Sequence, residues 1–273
     1  LVKVVIVAGP TASGKSALAL KLAHERGGVI LNADSLQVYK GIEILTAQPQ
    51  DFQGISHRLY GFLDLSKICS VGLWLDLIHT EIQKAFGEGR VPIVAGGTGL
   101  YLKALLEGLP QLPSSFPDIR KELQSISQDE LYKELQKNDP HLASQINPHD
   151  HQRTLRGLEV YLGTGKPLSE WQGKAPKAPL YDFEKILLMP SKEELEERIV
   201  LRIDQMLEDG VIEEVRKALG VNPSVTAMKA IGLREFGAYL SGECSLDEAK
   251  ELTIIHTRQY AKRQRTWFRH QWN

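Results

Sequence analysis

Gly9-Pro10-Thr11-Ala12-Ser13-Gly14-Lys15-Ser16 fits the pattern G-x-x-x-x-G-K-[ST] at every position. Its flanks give the string meaning. Val2–Ala8 before it is apolar and β-branched, the composition of a strand covered on both faces. Ser16–Glu25 behind it carries Ala17, Leu18, Leu20 and Leu22, all good helix formers. A strand, a glycine-rich turn and a helix in that order direct backbone N–H groups and a helix N-terminus at an anion. Lys15 adds a point charge, and the Ser16 hydroxyl can ligate Mg²⁺. Gly9, Thr11, Ala12, Ser13, Gly14, Lys15 and Ser16 are therefore the candidate phosphate-binding residues. The plainer reading, a glycine turn that binds nothing, has the flanking strand and helix against it.

Outward from this loop, strand-like and helix-like segments alternate for a hundred residues. Gly27-Gly28 ends the first helix, and Val29–Asn32 resumes as a strand. Val71–Phe86 has Leu75, Ile78, Ile82 and Phe86 at helix spacing. Val91–Ala95 is again strand-like, and Gly96-Gly97-Thr98-Gly99 leads into a helix through Leu106. Alternation of this kind predicts parallel strands with crossover helices. Pro110, Pro113 and Pro117 mark a change, and up to about Tyr181 the chain reads as helices and loops. Ser127-x-x-Glu130 is a capping box. Asp139-Pro140 and Asn147-Pro148 each read as an N-cap followed by proline, and Gly163 as the residue that stops Arg153–Leu162. Lys174–Pro179 reads as a linker, Lys185–Met189 as a strand, and Ser191-x-x-Glu194 opens a helix that runs to Asp209-Gly210. The expected class is α/β, a P-loop NTPase-like parallel sheet flanked by helices. Its core comprises residues 1–113 and 182–273, interrupted by an all-helical lobe over 114–181.

Composition narrows the function classes. At roughly 150 residues per domain, 273 residues make one large domain, or a core with a smaller lobe. A hydrophobic share of 42% with 25% charged residues is ordinary for a folded chain and argues against disorder. A formal net charge of −1 excludes a bulk polycation, so any nucleic-acid contact must come from local patches. Cys69 and Cys244, the two cysteines, form no CxxC pair, which leaves no zinc framework or disulfide scaffold. No apolar run approaches a membrane span, and Val2–Ala8 is too short for a secretory core. A cytoplasmic protein acting as a monomer, without membrane partners, is the expectation.

A second chemical group follows the second strand, in Asn32-Ala33-Asp34-Ser35-Leu36-Gln37-Val38-Tyr39. In an open parallel sheet, ligands bind at the carboxyl ends of the strands, so Asp34 should face the crevice that holds the phosphate loop. A carboxylate there can hold a metal or act as a base; a turn or N-cap role is an equal reading on position alone. Gln37 can read a base edge through its amide or be a polar loop residue. The strand Val91–Ala95 ends in Gly96-Gly97-Thr98, where an NTPase would normally carry a metal-binding Asp.

The C-terminal segment carries its own signal. From Leu252 onward there is no Asp or Glu, and Arg258, Lys262, Arg265 and Arg269 fall on one helix face. Such a stripe suits RNA phosphates. A solvated helix paired with acids elsewhere is the alternative, and the absence of nearby acids weighs against it. Tyr260 and Trp267 lie near the opposite face and are expected to pack.

Taken together, the phosphate loop, Asn32–Tyr39, Gly96-Gly97-Thr98-Gly99-Leu100-Tyr101, Ala230-Ile231-Gly232-Leu233-Arg234-Glu235 and Thr257-Arg258-Gln259-Tyr260-Ala261-Lys262-Arg263-Gln264-x-Thr266-Trp267 resemble the bacterial tRNA dimethylallyltransferase family. The blocks occur in the family's order and span nearly the whole chain. The resemblance implies transfer of a dimethylallyl group from dimethylallyl diphosphate to the exocyclic N6 of the adenosine just 3′ of the anticodon in tRNA. It also implies that the phosphate loop, Gly9 and Thr11 to Ser16, holds the diphosphate of the donor and not ATP. Catalytic roles fall on Asp34 as base, on Lys15 beside the leaving group, and on Thr98 near the reacting centre, with Mg²⁺ as cofactor and Ser16 on its metal side. The tRNA contacts implied are Asp34, Ser35, Leu36, Gln37 and Thr98; Gln152, Arg153, Thr154, Leu155 and Arg156 in the lobe; and Lys229, Ala230, Ile231, Gly232, Leu233 and Arg234 in the core. The lobe would grip the anticodon stem-loop, with the target adenosine flipped out of its stack. Read as bare residues, Arg153 and Arg156 are a solvated charged face.

The chain departs from the family pattern in the short segment Asp51–His57 and at three named sites. Gln48 stands in Thr46-Ala47-Gln48-Pro49 where a Lys is usual, Ser56-His57 replaces a His-His pair, and Gly232-Leu233 replaces Gly-Tyr. Three other activities share parts of this sequence. An isopentenyltransferase acting on free AMP, ADP or ATP needs the loop and the acid, but neither the lobe nor the basic helix. A small-molecule kinase needs the loop, and a tRNA-binding module with a relic loop needs no chemistry.

Overall fold

A computed structural model describes residues 3–110, 112–113, 115–173 and 181–272. The expected linker Lys174–Pro179 lies outside the described residues. In chain order the elements are β1 (Val4–Ala8), α1 (Lys15–Arg26), β2 (Gly28–Asn32), β3 (His57–Arg58), α2 (Val71–Gly87), β4 (Val91–Gly96) and α3 (Gly99–Glu107). There follow α4 (Pro117–Leu123), α5 (Gln128–Asn138), α6 (Pro140–Gln145), α7 (His151–Thr164) and α8 (Leu168–Gln172). The chain then continues as β5 (Phe183–Leu187), α9 (Lys192–Glu208), α10 (Val211–Leu219), a 3₁₀ turn at Ala227–Lys229, α11 (Leu233–Leu240) and α12 (Leu246–Gln271).

Among the described residues the five strands are all parallel, in the order β3-β2-β4-β1-β5. Every residue of β1 and β2 is buried, as the apolar runs Val4–Ala8 and Val29–Leu31 require of strands covered on both sides. Because side chains alternate along a strand, Val5, Val7, Ile30 and Ile93 meet Ala19, Leu22 and Ala23 of α1 on one face. Val4, Ile6 and Leu31 meet Trp74, Ile78, Leu102 and Phe268 on the other. The two-residue β3 is too short to announce itself in the sequence. The order matters for function: β4 lies between β1 and β2, so the loops leaving those three strands share one edge of the sheet.

Contacts divide the chain into two units, residues 1–106 with 180–273, and residues 107–179. The second unit packs α4 to α8 around Leu131, Leu135, Leu155, Leu158 and Val160. Glu159 is fully buried there. It accepts hydrogen bonds from the Phe116 N–H (2.8 Å) and the Ser115 hydroxyl (2.9 Å), and pairs with Arg120 and Arg156. Burial opposes its charge, yet these partners hold its pKa below the usual carboxylate range.

Two cap expectations shift in this unit. Asn147 closes a turn, accepting from the His149 N–H at 2.9 Å, and the helix starts at His151 under Asp150, which accepts from Arg153 N. Gly163 does not stop the helix, which runs to Thr164 and is closed by Gly165 at φ 71°. A side chain at Gly163 would overlap the Phe116 ring, so packing accounts for this glycine. The capping boxes at Ser127 and Ser191 form as their spacing predicts. Among the described residues, no helix is long and apolar enough to cross a membrane.

Candidate active site at the carboxyl edge of the sheet

The phosphate loop follows β1 and ends in α1. Gly14 has φ 90°, a conformation that favours glycine, and Ala12 is held at φ 61° despite its side chain. These left-handed turns give the loop its concave row of amides. Among the described residues, the buried Ser13 hydroxyl has no hydrogen-bond partner, which leaves it available to a ligand. The Lys15 ammonium donates to the Pro10 carbonyl at 2.6 Å, which folds it back over the loop. Burial lowers the Lys15 pKa to about 8; the negative charge of Asp34 works against this, and the positive charge of Arg202 adds to it.

Asp34 follows β2, fixed from behind. Asn32 is fully buried; its carboxamide accepts from Asp34 N (2.8 Å) and donates to the carbonyls of Asp34 and Leu59. Asp34 Oδ1 accepts from Leu36 N at 2.9 Å, and the rest of its carboxylate faces a cavity. Thr98, after β4, is tied to this loop, its hydroxyl accepting from Ser35 N at 3.0 Å. A side chain at Gly96 would overlap the Ala33 backbone, and one at Gly97 would overlap Gln264 and the Gly9 carbonyl. The loops leaving β1, β2 and β4 thus approach too closely for an aspartate at the end of β4, which explains why that strand ends in glycine.

Three further residues complete the site and come from distant sequence. Arg202 of α9 donates to Thr11 Oγ1 at 2.9 Å; burial lowers its pKa while Asp34 raises it. Gln264 of α12 accepts from Thr11 N at 2.8 Å and donates to the Gly97 carbonyl at 2.9 Å, bridging two glycine loops with one amide. Tyr260 of α12 lines the Asp34 cavity, and burial, then Asp34, push its pKa above the usual phenol range. A signal for two of these was present in the sequence. Arg202 falls on the apolar stripe of Leu195, Ile199, Ile203 and Met206, and Gln264 on that of Ala261 and Phe268. A polar residue on a buried stripe must find a partner. If the loop holds a donor diphosphate, as the resemblance implies, Gln264→Leu should reduce kcat/KM for that donor by about 10²-fold, the scale of a misplacement of roughly 1 Å, as measured by initial rates at varied donor. A fold unchanged by circular dichroism with an unchanged kcat/KM would refute the bridge.

The remaining expected contacts divide by exposure. Gln37 donates to the carbonyls of Thr46 and Ala47, so its NH₂ group holds the loop. Gln48, at the first departure, is buried and donates to the Tyr39 carbonyl. Lys229 and Arg234 are exposed, Ala230 and Leu233 are core, Gly232 is buried against Leu45, and Ile231 lines the cavity. In the helical unit, Gln152 and Arg153 are exposed, Thr154 and Leu155 are buried, and Arg156 donates to the Pro113 carbonyl. Along α12, Arg258, Lys262 and Arg269 face solvent, whereas Arg265 donates to the Pro190 carbonyl at 3.1 Å. Trp267 packs on Gly99 as expected of that face. Among the described residues, no group of three or more His, Cys, Asp or Glu could hold a metal. A Mg²⁺ here would have to be carried largely by ligand phosphates, the usual habit of that ion, with Ser16 and the orphaned Ser13 hydroxyl at hand.

The family model described as IPP transferase matches residues 37–271, and one described as isopentenyl transferase matches residues 2–63. The chain is 49% identical to the tRNA dimethylallyltransferase of Chelativorans sp. (strain BNC1), over 97% of this chain and 94% of the other. It is 43% identical to that of Zymomonas mobilis, over 98% and 88%. Among solved structures, it is similar to the tRNA isopentenylpyrophosphate transferase of Bacillus halodurans, with TM-score 0.71, 34% identity, and 98% and 87% of the two chains covered. It is also similar to a eukaryotic dimethylallyltransferase acting on tRNA, with TM-score 0.85, 32% identity, and 97% and 69% covered.

Proposed function

The chain belongs to the IPP transferase family, and from that premise we infer that its loop edge joins an isoprenoid donor to an RNA amine. It is an enzyme, a tRNA dimethylallyltransferase that moves a dimethylallyl group to a tRNA adenosine near the anticodon. The observation that carries the site-level reading is the meeting of Lys15, Arg202 and Asp34 around one edge of the sheet, with the Asp34 cavity walled by apolar residues.

In this reading the amides of the phosphate loop, Lys15 and Arg202 hold the donor diphosphate. Adenine N6 is a poor nucleophile because its lone pair is delocalised into the ring. N6 attacks C1 of the donor, the C1–O bond breaks, and the N6 proton passes to Asp34. The negative charge that grows on the departing diphosphate is met by cations already in place, which is where such sites gain most. Ser16 would hold Mg²⁺ beside the diphosphate, and the ion would supply further charge neutralisation there. Gln264 positions the loop, and Thr98 holds the Asp34 segment through Ser35. The RNA-facing groups are the exposed ones: Gln152 and Arg153 of the helical unit, Lys229 and Arg234 of the core, and the solvent face of α12. Thr154, Leu155, Ala230 and Leu233 support these segments from within, and Ser35, Leu36 and Gln37 shape the wall beside Asp34. Action as a monomer in the cytoplasm completes the reading.

The test is mass spectrometry of an anticodon stem-loop, with its 3′-adjacent adenosine, after incubation with dimethylallyl diphosphate and Mg²⁺. The expected result is a gain of one C₅H₈ unit on that adenosine and release of diphosphate. A gain on free AMP with none on the stem-loop would move the acceptor to free nucleotides. Transfer of a γ-phosphate from ATP would replace the reading with a kinase.

A further inference from the structure

The cavity beside Asp34 is small, about 80 Å³, against roughly 300–1,000 Å³ for ordinary small-molecule sites. Its polar end holds Thr11 and Arg202, and its wall includes Leu36, Leu45, Ile203, Met206, Ala230 and Ile231. Three threonines also line it, yet none offers it a free hydroxyl proton. Thr46 donates to the Ile42 carbonyl (2.6 Å), Thr253 to Ala249 (2.8 Å) and Thr257 to Thr253 (2.7 Å). Away from Arg202, Asp34 and Tyr260 the wall is therefore largely apolar.

The helix α9 gives the cavity a scale. Arg202, which touches Thr11 of the phosphate loop, and Met206 both line it and stand one turn apart, about 6 Å along the axis. A dimethylallyl group has four carbons in its longest run, under about 5 Å end to end. A geranyl group has eight, about 9 Å. A donor whose diphosphate meets Arg202 has this small cavity for its isoprenoid, so the doubled length of a ten-carbon chain would have to displace the wall that Met206 helps to form. Met206 is itself packed into the core, 8% exposed.

We propose that Met206 is the residue that limits the donor to a five-carbon isoprenoid, by closing the apolar end of the cavity one helical turn beyond Arg202. The inference rests on the reading of this site as the donor site. Its test offers dimethylallyl and geranyl diphosphates in competition to wild-type protein and to Met206→Ala, with an anticodon stem-loop as acceptor and product mass as readout. Wild type should add C₅H₈ almost exclusively. Met206→Ala should raise the ratio of ten-carbon to five-carbon product at least tenfold, while five-carbon transfer continues at a reduced rate. A Met206→Ala protein that still transfers the five-carbon group with an unchanged product ratio overturns the proposal. Wild-type protein that transfers neither group overturns the underlying reading instead. If Met206→Ala does not fold, Met206→Phe decides: added bulk at the cavity end should raise KM for dimethylallyl diphosphate at least fivefold, and an unchanged KM rejects the assignment.

Discussion

Asp34→Asn is expected to lower the single-turnover rate of prenyl transfer by about 10²–10⁴-fold, the range for loss of a general base, or roughly 3–5 kcal/mol of barrier. The substitution is nearly isosteric. The new carboxamide can still accept from Leu36 N as Asp34 Oδ1 does, and Asn32 still holds the Asp34 N–H. The loop should keep its shape while losing its affinity for a proton. Donor binding, which the reading assigns to the phosphate loop and Arg202, should change by less than about tenfold, as judged by titration with a non-reactive donor analogue. One further consequence distinguishes a lost base from a damaged loop. The Asp34 charge raises the pKa of Lys15, so its removal should move the alkaline limb of the remaining activity to lower pH. Retained turnover in Asp34→Asn would remove the base assignment, and loss of analogue binding would make the residue structural.

How much of this site was legible depends on where each residue comes from. The phosphate loop and Asp34 were readable because strand, turn and helix are local patterns, and the strand ends of a parallel sheet converge. Nothing local places Arg202 beside Thr11, 191 positions away, or Gln264 beside it, 253 positions away. Their signal, a polar residue on an apolar stripe, says only that a partner exists. The same limit explains Thr154 and Leu155. A contiguous segment assigned to RNA contact starts a helix, and a helix turns some of its residues inward, so the segment divides between Arg153 outside and Leu155 inside. It also explains Gly163, whose packing on Phe116 depends on a residue 47 positions away. The short strand β3 rests on pairing with β2 rather than on any propensity of His57-Arg58.

Lys15→Ala should reduce kcat/KM for the donor by about 10²–10³-fold, the scale of removing one preorganised electrostatic contact from a developing anion. The pH dependence gives a sharper test, because the direction of the Lys15 shift fixes its sign. Burial lowers the pKa from the ordinary lysine value to about 8. Below that pH the ammonium is charged and can meet a diphosphate; above it the proton is lost and the loop keeps only its amides and Arg202. Since kcat/KM reports the unliganded enzyme, the donor kcat/KM should fall above about pH 8 with the slope of one proton. A bound diphosphate favours the charged form, so kcat should hold to higher pH than kcat/KM. Lys15→Arg replaces the group with one that stays charged throughout this range. That variant should lose some rate, because a planar guanidinium does not fit the place of an ammonium folded onto the Pro10 carbonyl, but its alkaline limb should flatten. A wild-type profile that stays level through the titration of a group at about 8, or an alkaline limb that survives unchanged in Lys15→Arg, would assign the titration elsewhere. Lys15 would then be a constant charge and not the group that links donor capture to pH.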